Sequence, residues 1–251
     1  MGKDDDNNDG KNDGNDNGHD GFKPSSYDDG VYAFKSHEAL PTPFENHVAR
    51  MIQPEYTVLD IGSGNGQFSD FACRKGARVF ALDALARNKE VTLKREAIAN
   101  AADKGLFQFV LGTWPQSWKK LDALGFDLIF SQSVLHYLDE AGRQEAFRTV
   151  LHALNRGGYF ALALKSTDNA WMEKRDDKGE LVLTRLPGDE PRWDNSIDHS
   201  IRTFFTVQRL KEELQRAGFK ALCHNFNVRI VSDYEFKGEL SVWIEFLYQK
   251  I

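Results

Sequence analysis

The residues best suited by type and spacing to hold a ligand begin at Val58. An apolar stretch, Val58-Leu59-Asp60-Ile61, runs into Gly62-Ser63-Gly64-Asn65-Gly66 and then into Gln67-Phe68. This reads as a buried strand, a glycine turn and the start of a helix. Glycines let a backbone turn sharply and approach a ligand closely, and a helix amino terminus offers N–H groups with no partner inside the helix. Asp83 closes the next apolar stretch, 17 residues past Gly66. A carboxylate at the end of a second strand can accept both hydroxyl protons of a ribose. Together these features point to an adenosine-containing ligand in the crevice beyond the strand ends. The plainer alternative is a glycine turn that only shortens a connection, but strand, loop, helix and terminal Asp stand in register.

The elements that must position these residues alternate. Tyr56–Ile61, Arg78–Asp83, Phe107–Leu111, Phe126–Ser131 and Tyr159–Lys165 read as buried strands. A helical lead-in is expected within Tyr32–Ile52, where Phe44, Val48 and Ile52 recur at helical spacing. Arg143–Asn155 and Val207–Ala217 each gather apolar residues on one face, with Gly157 and Gly218 as terminators. Alternation of this kind predicts an α/β, Rossmann-like, doubly wound, mostly parallel seven-stranded sheet. The last two strands, Lys220–Ile230 and Glu239–Lys250, are joined by residues 232–238 alone, too few for a crossover helix, so the C-terminal strand should run antiparallel.

Composition sets the surroundings. Seven Asp against two Lys in residues 1–20 carry −5 of the total charge of −6, leaving the rest of the chain close to neutral. Such a body gives no electrostatic reason to expect nucleic acid or an anionic membrane as partner. Residues 1–27 are nearly all Asp, Asn, Gly, Lys and Ser, which predicts a disordered acidic tail, with the folded domain spanning residues 28–251. Asp5–Gly10 and Asp13–Gly18 fit half of a calcium loop, but no apolar helix flanks them and the closing Glu is missing, so no metal is expected. Asp6 stands where myristoylation needs Ser or Thr, no secretory h-region opens the chain, and no apolar run is long enough to span a bilayer. Cys73 and Cys223 lack metal-like spacing and read as free thiols, which makes the cytoplasm the expected compartment. Cys73, beside Phe71 and Ala72, reads as a packing residue.

The glycine pattern separates the adenosine ligands. A dinucleotide fingerprint spaces its glycines G-x-G-x-x-G, whereas here the order is G-x-G-x-G with Asp60 two residues ahead. In this the chain resembles the class I S-adenosylmethionine-dependent methyltransferases, across roughly Phe44 to Ile251. Phe126–Phe130 with Ser133–Leu138 resembles the family's fourth strand and its continuation. Arg156-Gly157-Gly158 resembles the entry to the fifth strand, and Phe204–Phe219 the late helix. Small-molecule enzymes, including tellurite-resistance-type proteins, are the nearest flavour.

The resemblance implies S-adenosylmethionine as cofactor. Asp60, Gly62, Ser63, Gly64 and Gly66 would face its methionine and ribose end, and Asp83 the ribose hydroxyls. Leu82, Ala84, Leu85 and Trp114 would lie by the adenine, Trp114 standing where many members carry an acid, with Ser131 at the end of the fourth strand. His136 and Tyr137 would stand nearest the transferred methyl group. The plainer reading of His136 is a surface or packing residue, and His37 and His199 are weaker candidates. Methyl transfer asks mainly for an in-line nucleophile, with a base only where the nucleophile must lose a proton. The sequence lacks the Asn/Asp-Pro-Pro-aromatic motif of amino-methylating DNA enzymes and any cysteine nucleophile motif, which sets those subclasses aside, and the resemblance implies a small-molecule acceptor. Two other readings stay open: a catalytically silent cofactor-binding partner protein, and a nicotinamide-dependent oxidoreductase, against which the glycine spacing counts.

Residues 166–202 form too long a connection for a simple crossover and hold too many apolar groups for a solvated linker. They are expected to fold over the crevice and form the acceptor pocket, with Trp171 and Trp193 as walls and Arg185 or Arg192 meeting an anionic acceptor. Packing for stability alone is the alternative. The oligomeric state and the atom methylated are not legible.

Overall fold

The computed structural model describes residues 42–121, 124–168, 170–173, 175, 178–190, 192–195, 200–220, 226–236 and 239–251. The expected tail, the calcium half-loops, His37, His199 and Cys223 lie outside them.

The chain enters on α1 (Pro43–Arg50), which starts at a reciprocal cap: Thr42 Oγ1 accepts from Glu45 N, and Glu45 takes a hydrogen bond from Thr42 N. There follow β1 (Thr57–Ile61), α2 (Gln67–Arg74), β2 (Arg78–Asp83), α3 (Ala86–Leu93), α4 (Glu96–Asp103) and β3 (Phe107–Leu111). Next come β4 (Phe126–Gln132), a single 3-10 turn at Leu135–Tyr137, α5 (Glu140–Ala153) and β5 (Leu154–Lys165). The segment after β5 carries three short strands, β6 (Leu183–Arg185), β7 (Arg192–Asn195) and β8 (Ile201–Thr203). The chain closes with α6 (Val207–Arg216), β9 (Phe226–Phe236) and β10 (Glu239–Gln249).

The main sheet has seven strands in the order β3-β2-β1-β4-β5-β10-β9. Strands β1 to β5 pair in parallel, and β10 runs antiparallel to both β5 and β9. The mostly parallel, doubly wound sheet expected from sequence is therefore present, with its antiparallel C-terminal strand. Its two faces bury separate clusters, as helices on both sides of a parallel sheet require. One face packs Leu59, Leu82, Phe126, Phe147, Phe160, Leu210, Phe219 and Phe246 under α5 and α6. The other packs Phe44, Val48, Val58, Phe68, Ile98, Leu128 and Phe130 under α1, α2 and α4. Phe68 stacks on Phe130 with ring centroids 4.0 Å apart, joining the helix that follows the glycine loop to β4.

Two expectations are corrected in detail. The helix expected over Arg143–Asn155 starts earlier, because Asp139 caps it through Gly142 N, and it ends at Ala153, passing directly into β5. Gly157, expected to stop that helix, lies within the strand at φ +81°. Its neighbour Gly158 is held to glycine by space: a Cβ there would stand 2.8 Å from Phe126 O.

The small sheet β6-β7-β8 is antiparallel and is tied to the body by charge. Arg143 of α5 is fully buried, and its Nε donates to Glu213 Oε2 of α6 at 2.8 Å. The same guanidinium reaches Glu190, between β6 and β7, at 2.8 Å, and Thr203 Oγ1 of β8 at 3.0 Å. Forked, charge-assisted bonding of this kind lets a guanidinium sit without water. Residues 166–202 thus include a folded, fastened sheet.

Candidate active site

The site is built where β1, β4, β5 and β2 end. β1 delivers Asp60 and Ile61 to the edge, and the chain leaves through Gly62 at φ +71°, Gly64 at φ +54° and Gly66 at φ +77°. L side chains disfavour that region, so the sequence uses glycine at each turn. Space sorts the three. A Cβ on Gly62 would lie 2.0 Å from Val134 Cγ2 and one on Gly66 2.7 Å from Thr92 Cγ2, whereas one on Gly64 would meet nothing within 4 Å. Gly62 and Gly66 are closed in by protein, and Gly64 borders open space.

Hydrogen bonds fix the loop against β2. Gly62 N and Ser63 N donate to Leu82 O at 2.7 and 3.1 Å, and Gly66 N donates to Ser63 O at 2.8 Å. Asp83 Oδ2 accepts from Gly64 N at 2.9 Å, while Oδ1 accepts from Leu85 N at 2.8 Å and from Asn88 Nδ2 at 2.9 Å. From the outer side Arg95 Nε donates to Asn65 O at 2.6 Å. Asp83 is buried and Ala84 half-buried beside it.

Asp60 is buried and accepts from Ser69 Oγ at 2.7 Å. Burial pushes its carboxyl up to about 7, Ser69 partly opposes this, and Glu45 and Asp83 add to it. Glu45 on α1 is likewise raised to about 7 by burial, against its bonds with Thr42. Each of the two buried carboxyls thus holds its proton to higher pH than an exposed acid.

Across the crevice, β4 ends in Ser131 and Gln132, and Ser133 turns at φ +58°. Ser63 Oγ, Ser131 Oγ and Gln132 Oε1 are buried without a hydrogen-bond partner. His136 and Tyr137 follow in the 3-10 turn, their ring centroids 4.3 Å apart. Of the plainer reading of His136 as a surface or packing residue, the surface half is excluded: it is 2% exposed, and neither ring nitrogen has a hydrogen-bond partner. Burial drives its pKa well below the usual imidazole range, and the positive charges of Arg202, Lys165 and Arg143 push the same way.

One expected residue stands elsewhere. Trp114 is 3% exposed, its ring in the core against Trp118 and its indole N–H directed at Ala146 O, so it is a packing residue. Arg185 is exposed. Trp193 packs edge-on against Phe204 at 5.4 Å. Arg192 is half-buried on β7, and the side chain of Trp171 lies outside the described part of the chain. Among the described residues of this segment Arg202 reaches the site, its guanidinium carbon 5.4 Å from the Tyr137 ring centroid, and Trp193 is its register partner on β7. Arg202, Lys165 and Glu45 were missed in the sequence; a lysine ending the apolar strand Phe160–Lys165 was the one available signal.

The class defined by this fold and loop is confirmed by comparison. A family model described as a methyltransferase domain matches residues 32–224, and the chain belongs to that family. The ubiquinone biosynthesis O-methyltransferase of Caulobacter vibrioides is 31% identical over 164 residues, 64% of this chain and 61% of that protein. The chain thus matches less than two thirds of that relative's length. Among solved structures, the 1,6-didemethyltoxoflavin-N1-methyltransferase of Burkholderia thailandensis, with its didemethyltoxoflavin and S-adenosylhomocysteine bound, superposes with a TM-score of 0.54 at 16% identity, over 83% of this chain and 79% of that one. A SAM-dependent methyltransferase from Methanosarcina mazei gives a TM-score of 0.55 at 18% identity, over 82% of this chain and 97% of that one. These two show the shared fold.

Proposed function

We infer that the protein transfers a methyl group from S-adenosylmethionine to a small-molecule acceptor. The observation that carries this reading is the cradle formed by Gly64 and Asp83, an unfilled glycine edge bonded to a carboxylate at the end of β2. The residues present fit the cofactor. Backbone at Gly64 is open to close approach, the Asp83 carboxylate keeps about one of its roughly four lone-pair sites after the bonds from Gly64 N, Leu85 N and Asn88 Nδ2, and Ser63 and Ser131 hold unspent hydroxyls at the same edge. Gly62, Gly64 and Gly66 would border the methionine and ribose, Asp83 the ribose hydroxyls, and Leu82, Ala84 and Leu85 the adenine.

The bound cofactor would supply an electrophilic methyl group with a good leaving group, so the chain's task is to orient the acceptor and exclude water. His136 and Tyr137, beyond β4, are the groups set to meet the acceptor. The name of the Caulobacter relative makes a hydroxyl-bearing small molecule the first acceptor class to try. Residues 166–202, with the fastened sheet β6-β7-β8, serve as the cover of the acceptor side. Among the described residues no helix is long and apolar enough to cross a membrane. A cytoplasmic setting fits the free Cys73 thiol, which burial pushes up to about 12 and so keeps unreactive.

The test is release of S-adenosylhomocysteine from S-adenosylmethionine across a panel of hydroxylated and amino-bearing metabolites. Acceptor-dependent release is expected. No release with any acceptor, from protein that binds the cofactor, would leave a silent binding protein.

A further inference from the structure

Gly64 is the member of the glycine loop that packing does not hold, since a Cβ there would meet nothing within 4 Å. Its place rests instead on hydrogen bonds. β2 takes its N–H, through Asp83 Oδ2 at 2.9 Å. The junction of α3 and α4 takes the carbonyls: Thr92 Oγ1 donates to Gly64 O at 3.3 Å, and Arg95 Nε donates to Asn65 O at 2.6 Å. Thr92 lies in the last turn of α3 and is fully buried, and Arg95 stands immediately before α4.

That junction is a firm support. Lys94 N donates to Val91 O and Arg95 N to Thr92 O, which turns the chain tightly from α3 into α4. α4 then buries Ile98 and Ala101 in the same cluster as Phe68 and Ala72 of α2. Because α2 starts at the glycine loop, the support and the segment it supports belong to one packed unit. Thr92 also backs the loop by contact, standing where a Cβ on Gly66 would come within 2.7 Å of its Cγ2. In a planar trans peptide the N–H and C=O point in opposite directions. With both carbonyls turned onto the junction, the N–H groups of Asn65 and Gly66 face away from it, and that of Gly66 meets Ser63 O at 2.8 Å. Arg95 works from the edge of a hollow and not from the core: it is half-buried and lines a depression with Asp70, Arg74, Lys94 and Asn100. Loss of its head group leaves no void in packed chain, so its effect on the loop is separable from stability.

We propose that Arg95 and Thr92 are positioning residues for the cofactor, acting through the loop backbone and not on the reacting atoms. By holding the Gly64 and Asn65 carbonyls they keep the open glycine edge and the Asp83 carboxylate in the relation that admits S-adenosylmethionine. A loop fixed in that relation before the cofactor arrives spends less of the binding free energy on ordering. The proposal rests on the methyltransferase reading, since it says how the cradle of that reading is held.

The test is calorimetric titration with S-adenosylhomocysteine beside melting curves and amide NMR spectra of the unliganded protein. Arg95→Met keeps the stem and removes the donor. It should weaken S-adenosylhomocysteine binding about five- to tenfold, within the worth of a hydrogen bond from a charged group. Its melting temperature should stay within about 2 °C of wild type, as for a surface substitution. Arg95→Lys should restore part of the affinity, and Thr92→Val, which loses the hydroxyl and keeps a methyl group, should weaken binding in the same direction. The amide signals of Gly64, Asn65 and Gly66 should broaden in Arg95→Met while those of β4 and β5 stay sharp, a change that a purely structural role does not produce. Unchanged S-adenosylhomocysteine affinity in Arg95→Met overturns the proposal. So does a failure of that variant to fold, or a loss of affinity that tracks melting temperature with sharp loop amides, because either makes the junction scaffold. If the wild-type protein does not bind S-adenosylhomocysteine, the methyltransferase reading falls and takes the proposal with it; if it binds and the variants bind equally well, only the proposal falls.

Discussion

Asp83 is fastened to Gly64: the carboxylate that ends β2 accepts a 2.9 Å hydrogen bond from the amide at the open edge of the glycine loop that ends β1. One bond thus joins the two features that the sequence places 19 residues apart, and ties the loop backbone to the carboxylate proposed to face the ribose.

Asp83→Ala should weaken S-adenosylhomocysteine binding by about 1.5–3 kcal/mol, the worth of charge-assisted hydrogen bonds to a ribose. Calorimetry on folded variant checks it. Unchanged affinity would remove Asp83 from the ribose.

The glycines should separate stability from binding. Gly62→Ala drives a methyl group to 2.0 Å from Val134 Cγ2 at φ +71°, so melting temperature should fall by the equivalent of about 1–3 kcal/mol. Gly64→Ala meets open space, so it should cost stability no more than about 1 kcal/mol of left-handed strain while obstructing the cofactor. Thermal melts beside titrations test this crossing pattern. Equal effects of the two substitutions on both readouts would refute it.

This cradle was legible because its physics is local. A buried parallel strand must be apolar, a left-handed turn must be glycine, and both are written in consecutive residues from Val58 to Gly66. The acceptor side was less legible. β6, β7 and β8 are three or four residues each, too short to show a period, and their pairing depends on chain brought from elsewhere. Lys165 and Arg202 look like solvated charges in sequence, and only the fold half-buries Lys165 and buries Arg202 over the ring of Tyr137. Trp114 was placed by the adenine because spacing gives a position after β3 and says nothing about which way a ring turns. His136 was legible as a candidate, but its burial was not.

The Arg143–Glu213 pair links α5, α6 and the small sheet. Glu213→Leu leaves a buried guanidinium short of its main partner, and a loss of about 3–5 kcal/mol is expected. The double variant Arg143→Met, Glu213→Leu should lose clearly less than the two single losses together. A double-mutant cycle by denaturant unfolding measures this, and strict additivity would contradict the coupling.

Asp60 gives a pH signature. Its folded pKa of about 7 lies above the ordinary 3.8, so the folded state binds the proton more tightly than the unfolded one. Its favourable contribution is complete below the unfolded value and is lost as pH rises through about 7. Asp60→Asn mimics the protonated carboxyl. Its stability relative to wild type should therefore increase from pH about 5 to pH about 8, by an amount on the order of a few kcal/mol. Melting curves for both proteins across that range check it, and parallel curves would contradict it. His136 acts in the opposite direction and lower window, because its depressed pKa removes stability as pH falls below the usual imidazole value.

The most direct test of the central claim is calorimetric titration of the wild-type protein with S-adenosylhomocysteine and, separately, with NAD. The cradle of Gly62, Gly64, Gly66 and Asp83 is expected to bind S-adenosylhomocysteine at a single site and NAD at least about a hundredfold more weakly, a difference of about 2.8 kcal/mol. Saturable binding of NAD with no heat from S-adenosylhomocysteine would contradict the account.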